Sequence, residues 1–319
     1  METTNSYARP GGGGRGVFGG GWDNTNNTSL LHTLQIHTLG NSEFFGDLSI
    51  ARRNPGGRVS SSIRGIFSGG FTSAPGTDRI DYITFSSTGT AEDFGNLLTN
   101  GTYAIANAAL SSSTRGIMSG GVAAPGVNQN VIQYIEIPTT GDAIDFGDLV
   151  GNSINGQAVA SPTKGLFCGG GPNATSTIQS ITISSRGDAV DVGDLTQAIF
   201  YGGCVTNGTR GIVGGGEYVP SPTFTHTSLL DYITIASAGN ANEFGDLTTK
   251  RSRIASMETI TRGVFAGSVA DGSSNTFTNV IDYINIASTG NAQDFGDITN
   301  GENYQVIGCS DSHGGLGGF

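Results

Sequence analysis

The stretch Arg64-Gly65-Ile66-Phe67-Ser68-Gly69-Gly70 decides the fold, because close variants of it occur six times along the chain. Each copy starts with a cation that is followed by glycine and an apolar pair, and most copies end in consecutive glycines. A fixed internal period of about 50 residues determines the architecture of a chain before any local pattern does. The six copies begin at Arg15, Arg64, Arg115, Lys164, Arg210 and Arg262.

A second marker, Phe-Gly-Asp-Leu in its best copies, follows in every repeat. It begins at Phe45, Phe94, Phe146, Val192, Phe244 and Phe295. A glycine stands five residues before each of these positions, at Gly40, Gly89, Gly141, Gly187, Gly239 and Gly290. A spacing kept in six copies predicts that every repeat folds into the same unit.

Each repeat contains four predicted strands and no sustained helical period. The first strand consists of small residues, the second carries Ile66-Phe67, and the fourth carries the Phe-Gly-Asp marker. The third alternates with a period of two, as in residues 80–85, which predicts one buried face. Six such units predict an all-β, six-bladed β-propeller of four-stranded antiparallel blades. A β-solenoid usually has shorter coils, and a sandwich would not repeat six times.

Ring closure is predicted to use the C-terminus. Residues 303–310 resemble a first strand without a blade of its own, and we expect them to complete the blade that starts at Arg15. Residues 4–10 are the competing candidate for this strand. The predicted propeller spans residues 15–310, between a Gly-rich, flexible arm at residues 1–14 and a Gly-rich tail at residues 311–319.

The repeat also carries a family resemblance. Gly-Gly ending one strand, Tyr in the next and a bulky ring in the last resemble a kelch repeat, although Phe or Val stands where kelch repeats usually have Trp. The longer pattern, from Arg-Gly-x-Phe-x-Gly-Gly to Ile-Asp-Tyr-Ile-Thr and Asp-Phe-Gly-Asp-Leu, resembles repeats of virion-associated proteins in tailed phages of marine cyanobacteria. That resemblance implies a non-enzymatic, particle-borne propeller and names no ligand, because it lies in scaffold positions.

Composition and charge exclude several classes of function. The chain has 319 residues, 53 of them glycine, and a net charge of −11. A protein that grips a phosphate backbone needs a basic surface, so nucleic acid is not an expected partner. No apolar run is long enough to insert into a membrane, and no signal peptide is expected at residues 1–7. A low content of charged residues and many Gly-Gly pairs at strand edges favour packing against other subunits, including copies of this chain in a homo-oligomer.

The connections between strands divide the predicted disc into two faces. The turns between first and second strands and between third and fourth strands share one face and are nearly constant. The longer connections on the other face vary, as binding loops on a fixed scaffold do. Single aromatic residues among Asn, Ser and Thr suit carbohydrate, although turns consist of such polar residues anyway. The candidate ligand-binding aromatics are Trp22, Phe71, Tyr103, Tyr201, Tyr218, Phe224 and Phe277.

The opposite face carries a ring of six cations: Arg15, Arg64, Arg115, Lys164, Arg210 and Arg262. One interpretation is an anion site at the mouth of a central channel. The other is a contact between these cations and the aspartates around the Phe marker, repeated within or between blades to fix the turns. A motif present in every repeat is more often structural than functional, so we favour the second interpretation.

No constellation of residues predicts catalysis, a cofactor or a metal site. The three cysteines are too widely spaced for a metal knuckle and are expected to be small buried thiols. Acid pairs recur in most repeats, whereas an active site would break the symmetry. The leading hypothesis is a virion structural or accessory protein, made in the host cytoplasm, that binds other virion proteins or a host-surface polysaccharide. The alternatives are a cellular kelch-like interaction module and a glycan-active propeller enzyme.

Overall fold

The computed structural model describes residues 13–23, 25–72, 76–98, 108–124, 127–172, 174–218, 225–270, 277–299 and 306–312. The strands are β1 (Arg15–Gly19), β2 (Leu30–Gln35), β3 (Glu43–Asp47), β4 (Gly56–Ser60), β5 (Arg64–Ser68), β6 (Arg79–Thr84), β7 (Glu92–Asn96), β8 (Ala108–Ser111), β9 (Arg115–Ser119), β10 (Val122–Ala124), β11 (Val127–Asn128), β12 (Val131–Glu136), β13 (Ile144–Asp148), β14 (Gln157–Ala160), β15 (Lys164–Cys168), β16 (Thr175–Thr182), β17 (Val190–Ile199), β18 (Gly203–Thr206), β19 (Arg210–Gly214), β20 (Glu217–Tyr218), β21 (Thr225–His226), β22 (Leu229–Thr234), β23 (Asn242–Asp246), β24 (Arg251–Ser252), β25 (Ala255–Glu258), β26 (Arg262–Ala270), β27 (Phe277–Asn285), β28 (Gln293–Asp297) and β29 (Ile307–Ser310).

These strands form six antiparallel blades, which confirms the predicted six-bladed propeller. From the inner to the outer strand, blade 1 is β29-β1-β2-β3 and blade 2 is β4-β5-β6-β7. Blade 3 is β8-β9-β12-β13, blade 4 is β14-β15-β16-β17, blade 5 is β18-β19-β22-β23 and blade 6 is β25-β26-β27-β28. The small-residue strands contact one another in a closed ring around the axis, so the predicted first strand is the innermost one. Among the described residues, no helix has the length and apolar composition to cross a membrane.

The C-terminal strand closes the ring, as predicted. β29 pairs with β1 from Gly16 opposite Ser310 to Gly19 opposite Ile307. The other edge of β1 pairs with β2, so residues 4–10 do not supply the inner strand of blade 1. Residues 1–12 of the predicted N-terminal arm and residues 313–319 of the predicted C-terminal tail lie outside the described residues.

The propeller extends slightly beyond its predicted ends. The Asp311 carboxylate accepts hydrogen bonds from the backbone N–H groups of Gly13, Gly14 and Arg15, at 2.8, 2.9 and 3.0 Å. Ser312 is fully buried and donates a hydrogen bond to the Glu258 carbonyl of blade 6. Asp311 thus joins the two ends of the described chain inside blade 1.

The hydrophobic core is divided into six layers, one between each pair of successive blades. In the layer between blades 1 and 2, Phe45 of the Phe-Gly-Asp marker packs with Val17, Phe67 and Ile83. Burying one such ring stabilises the fold by about 2–3 kcal/mol. The layer between blades 6 and 1 is built in the same way around Phe295, so the ring has no exposed end.

Packing on both sides of a blade overturns one prediction. The alternation in the third strand predicted a buried face and an exposed face. Asp81 and Asp282 are fully buried at the predicted polar position, and Asp231 is only 4% exposed. Each blade lies between two others, so both faces of its third strand are covered. The polar residues of the alternation therefore need partners inside the protein.

The outer strands are joined by backbone hydrogen bonds between blades. In five of the six third-to-fourth hairpins, the glycine of the turn donates its N–H to the carbonyl of the marker Phe in the preceding blade. For example, Gly141 donates to Phe94 at 2.7 Å and Gly187 donates to Phe146 at 2.9 Å. A side chain in the same turn adds a second bond, since Asp188 Oδ1 accepts from the Asp148 N–H at 3.0 Å. The fixed spacing between these glycines and the marker thus reflects a repeated contact between blades.

The glycine of the marker is required by this contact. A Cβ atom on Gly147 would lie 2.5 Å from the Gly187 carbonyl oxygen, and one on Gly46 would lie 1.9 Å from the Gly89 carbonyl oxygen. Real Cβ atoms do not approach a backbone oxygen so closely. The glycine of the Arg-Gly pair has a similar restriction, because a Cβ on Gly116 would lie 2.3 Å from Val59 on the inner strand of the preceding blade.

We expect Gly147→Ala to destabilise the propeller far more than Gly141→Ala. Both glycines have positive φ, 152° and 158°, so alanine is strained at either position. No atom lies within 4 Å of a Cβ on Gly141, whereas Gly147 faces the next blade. The difference in the free energy of unfolding, from urea denaturation, should be about 2 kcal/mol. Equal losses in the two variants would show that the contact between blades does not restrict this position.

Candidate binding face

The two faces of the propeller have different chemistry. The turn face contains the turns between first and second strands and between third and fourth strands. The loop face contains the connections between second and third strands and the connections that lead into each inner strand. On the loop face, these two kinds of connection bond to each other, as in the hydrogen bond from the Gly21 N–H to the Arg52 carbonyl at 2.8 Å. The predicted cation ring lies on the turn face and the candidate aromatics belong to the loop face.

Each cation of the ring reaches from its own blade to the next one. Its side chain donates a hydrogen bond to a backbone carbonyl just after the third strand of that next blade. The pairs are Arg15 with Phe85 (2.5 Å), Arg64 with Ile137 (2.9 Å), Arg115 with Ile183 (3.0 Å), Lys164 with Ala236 (2.8 Å), Arg210 with Ala287 (3.1 Å) and Arg262 with Ile36 (2.9 Å). The six bonds form a closed ring, which supports a structural role.

Four of these cations also stack on a tyrosine of the third strand. The Arg64 guanidinium lies 4.7 Å from the Tyr82 ring centre, and those of Arg115, Arg210 and Arg262 lie 4.4–4.5 Å from their tyrosines. A guanidinium stacks on a ring better than an ammonium does. The one lysine of the ring, Lys164, stands in a blade with Ser180 in place of tyrosine. In blades 2, 3, 5 and 6, arginine therefore occurs together with the tyrosine on which it stacks.

The expected aspartate partners of these cations were wrong. Among the described residues, Arg115 alone in the ring pairs with a carboxylate, that of Glu136 at 2.8 Å. The marker aspartates bind within their own blades instead, as where Asp246 Oδ1 accepts from the Ser228 hydroxyl at 2.8 Å. Since each cation points toward the neighbouring blade and not toward the axis, the geometry does not support an anion site at a channel mouth.

Two of the predicted aromatics form one cluster on the loop face. The Arg53 guanidinium lies 4.7 Å from the ring centres of both Trp22 and Phe71. The backbones of Arg53 and Phe71 exchange two hydrogen bonds of 3.0 and 2.7 Å, and the Asn27 amide donates to the Phe71 carbonyl at 3.0 Å. All three stacked side chains are partly exposed. The cluster therefore presents two rings and a cation that are held in place before any partner arrives.

A third predicted aromatic, Tyr201, belongs to a second cluster nearer the axis. The Arg253 guanidinium lies 4.4 Å from the Tyr201 ring centre, and its Nη2 atom lies 3.1 Å from the Glu217 carboxylate. His226 Nε2 lies 3.8 Å from the same carboxylate. Burial raises the pKa of Glu217, but the nearby His226, the charge of Arg253 and the hydrogen bond from the Ser252 hydroxyl outweigh it and lower the pKa below its ordinary value. The Arg253–Glu217 pair therefore adds no net charge to this part of the face.

The other predicted aromatics contribute less. Phe277 was expected on the surface, but it is only 8% exposed because it lies in the extended part of β27 that pairs with β26. This prediction was wrong. Tyr218 is partly buried and packs its ring against the core layer between blades 4 and 5. Tyr103 and Phe224 lie outside the described residues.

Buried ion pairs position the connections that carry these clusters. Arg52 pairs with Asp81 at 2.9 Å, and Arg251 pairs with Asp282 at 2.9 Å, all four side chains being fully buried. Arg52 directly precedes Arg53, and Arg251 stands two residues before Arg253. In blades 3 and 4 the matching third-strand position is a glutamine that accepts a backbone N–H bond. In blades 2 and 6 this third-strand position is an aspartate that pairs with arginine. In blades 3 and 4 a neutral glutamine replaces the aspartate.

Blade 5 breaks this rule. Asp231 occupies the position, but Ile199 stands where blades 2 and 6 have the buried arginine. Its carboxylate accepts bonds from the Thr196 N–H and hydroxyl, at 2.8 and 2.6 Å. Burial is the largest influence and raises the pKa of Asp231 above its ordinary value.

A nearly buried ion pair lies inside the ring of inner strands. Arg58, on the inner strand of blade 2, reaches the Glu258 carboxylate of blade 6 with bonds of 2.8 and 2.9 Å and also contacts the Cys204 thiol of blade 5. Its side chain is only 9% exposed and that of Glu258 is 5% exposed. All three cysteines are free and buried, as predicted, and burial raises their pKa values.

A small, open depression lies at the loop face near the axis. Blades 1, 2, 4, 5 and 6 line it with Asn54, Pro55, Asn155, Gly156, Gln157, Tyr201, Gly202, Arg253, Ile254, Val306 and Ile307. Four non-glycine residues here have positive φ: Asn54 (49°), Asn155 (57°), Tyr201 (58°) and Arg253 (59°). Only two other non-glycine residues of the described chain do so. Such strain often gathers at binding sites.

Only part of this depression is indicated by the sequence. Asn54-Pro55 and Asn155-Gly156 are turn dipeptides, and Asn tolerates positive φ better than most residues. Neither Tyr201 nor Arg253 is of a type that favours such a backbone, so no local pattern reveals their convergence. Within the described part of the chain, no group of three or more His, Cys, Asp or Glu side chains is placed to hold a metal ion.

The fold and these sites define the chain as a six-bladed β-propeller with a repeated structural face and a variable loop face. No protein-family model matches the chain, and no curated protein matches its sequence.

We expect Asp231→Asn and Asp282→Asn to change stability in opposite directions at pH 7. Asn at position 282 leaves Arg251 buried without its counter-charge, which should lower the free energy of unfolding by about 3 kcal/mol. Asn at position 231 removes a buried charge that has no cation, and stability should rise by about 1 kcal/mol. Chemical denaturation measures both values, and a loss of stability in both variants would contradict the assignment of Asp231 as an unpaired buried acid.

The stability difference between the unmodified chain and Asp231→Asn should also depend on pH. The pKa of Asp231 is raised in the folded state. The protonated carboxyl therefore makes its full contribution to the free energy of unfolding at pH values below the pKa of Asp231 in the unfolded chain. That contribution is lost as pH rises through the folded pKa. The stability of the unmodified chain relative to Asp231→Asn should therefore fall as pH rises from about 3 to 7.

Proposed function

We propose that this protein is a non-enzymatic, particle-borne propeller that binds its partner through the loop face. The repeat resembles those of virion-associated proteins in tailed phages, and the propeller is a fold used widely for protein interaction. In this proposal the chain is a structural or accessory component of the virion, on the tail, a fibre or the capsid. Its partners are other virion proteins or a host-surface polysaccharide.

The observation that carries the proposal is the cluster of Trp22, Arg53 and Phe71. Trp and Arg are among the residues that contribute most to binding energy at interfaces. Here the guanidinium is already stacked between two rings at 4.7 Å, and the strand-like bond between Arg53 and Phe71 fixes the backbone. Side chains ordered before binding lose less conformational freedom when a partner docks.

The contrast between the faces supports the same conclusion. On the turn face, the repeated cations and the hairpin turns make bonds between blades, so substitutions there disturb the ring. The loop-face connections differ from blade to blade in length and composition. A partner that docks on the loop face therefore meets a surface that can change without loss of the fold.

The proposal is tested by comparing Arg53→Ala with Arg186→Ala. Both arginines stack on an aromatic ring, but Arg186 lies on the turn face, where it stacks on Tyr134 at 5.4 Å and bonds its hydroxyl at 3.0 Å. Purified chain, labelled with a fluorophore, is incubated with phage particles that lack the protein and with intact host cells. We expect Arg53→Ala to weaken binding about tenfold or more and Arg186→Ala to bind like the unmodified chain.

Immunogold labelling of purified particles, with an antibody raised against the whole propeller, tests the virion role. Gold on particles is the expected result, and its position separates a fibre or tail tip from the capsid. Absence of gold, with the protein present in infected cells, would overturn the virion role and favour a cellular kelch-like interaction module. Glycan hydrolysis by the purified chain would contradict a non-enzymatic role.

A further inference from the structure

We propose that the axial depression on the loop face binds one neutral saccharide unit, through the side-chain amides of Asn54 and Asn155. The inference rests on the proposed role of the loop face as the binding face. It adds the site and the chemical class of the ligand.

The walls of the depression offer free hydrogen-bonding groups. The side-chain amides of Asn54 and Asn155 are half-buried and form no hydrogen bond with the described residues. Each amide presents both an acceptor oxygen and a donor NH₂ group. A hydroxyl group also donates and accepts, so adjacent hydroxyls of a sugar can bond to these amides with both partners satisfied.

The positions of the amides are fixed by the backbone around them. The Asn155 carbonyl accepts from the Tyr201 N–H at 2.8 Å and from Gln157 Nε2 at 2.8 Å. The Tyr201 carbonyl then accepts from the Arg253 N–H at 2.6 Å. Three successive blades are thus bonded in a row at the mouth. This arrangement holds strained residues in place, and the strain is stored before any ligand arrives.

The charge and the apolar surface of the depression define the ligand class. Arg253, the one cation that lines the described walls, is offset by Glu217 at 3.1 Å. A phosphate or sulfate would find no uncompensated charge there. Pro55, Ile254, Val306 and Ile307 supply an apolar surface beside the amides. A sugar ring has a C–H face as well as hydroxyl groups, which matches a site with these two kinds of wall.

Two buried polar atoms next to the depression also lack a partner. Gln157 Oε1, an acceptor, and Arg253 Nε, a donor, make no hydrogen bond in the described structure. Leaving such atoms unpaired destabilises a protein. The Gln157 amide cannot be turned over to repair this, because its NH₂ group donates to the Asn155 carbonyl. Small movements of these two side chains toward a bound hydroxyl satisfy both atoms.

The test uses substitution by glycine, which keeps the backbone at positive φ and removes only the amides. Asn54→Gly and Asn155→Gly are combined in one variant. Ala238→Gly is the matched control, because Ala238 has the same kind of backbone, with φ of 54°, in a turn outside the depression. Both variants should unfold at the same temperature as the unmodified chain or at a higher one, since glycine relieves the strain.

The probes are the methyl glycosides of D-glucose, D-galactose, D-mannose and L-fucose, with inorganic phosphate as an anionic probe. Binding is followed by amide chemical shifts of the isotope-labelled full chain. We expect at least one glycoside to shift signals of Gly156, Tyr201 and Gly202, while phosphate shifts none of them. The double glycine variant should bind that glycoside about tenfold or more weakly, and Ala238→Gly should bind it normally.

Two outcomes would overturn the inference. The first is that no glycoside binds, or that phosphate alone shifts these signals. The second is glycoside binding that survives in the double glycine variant, or that shifts signals around Trp22 and Phe71 instead. Particle or cell binding that still depends on Arg53 would then leave the proposed function standing without a saccharide site at the axis. Loss of the Arg53 effect with intact glycoside binding would overturn the proposed function instead.

Discussion

The structure depends on one close contact, that between the marker glycine of each blade and the hairpin turn of the next. A Cβ atom on the marker glycine would lie very close to a carbonyl oxygen of that turn. The distance from this Cβ to the oxygen would be 1.9 Å at Gly46 and 2.5 Å at Gly147. The contact brings two outer strands together by backbone alone. It also directs the adjacent Phe45 or Phe146 into the layer between blades. Because every blade meets a neighbour in this way, the ring closes only if all blades have nearly the same shape at that edge.

This constraint explains why one face is uniform and the other is variable. The hairpin turn that makes the contact lies on the turn face, together with the cations that bond to the next blade. A change in one turn would alter the spacing of two blades. The loop-face connections lie at the opposite ends of the strands, and a longer loop there extends into solvent. Trp22 and Arg53 can therefore take part in binding without a role in closing the ring.

Much of the fold was predictable, because contacts between blades require particular residues at fixed spacing. The repeat, the small inner strands and the closure by β29 follow from glycine positions and side-chain size. The partners of the ring cations were not predictable. Every residue has a backbone carbonyl, so the acceptor position shows no characteristic residue type in the sequence. Phe277 was misjudged because β27 extends beyond the length of most third strands. The buried pair of Arg251 and Asp282 was visible in principle, since blades 3 and 4 have glutamine at the acid position.

The candidate site could not be predicted from repeated positions, because it lies where the repeats differ. Six inner strands converge on the axis, and a large side chain repeated six times there would collide with its own copies. Five blades have small residues at the position of Glu258, namely Ser60, Ser111, Ala160, Thr206 and Ser310. One blade can then supply Glu258 and another can supply Arg58, and the two side chains pair inside the ring. The same geometry applies at the loop-face mouth just above. Unlike residues from different blades must meet there, so the axis is where a symmetric scaffold can build an asymmetric ligand site.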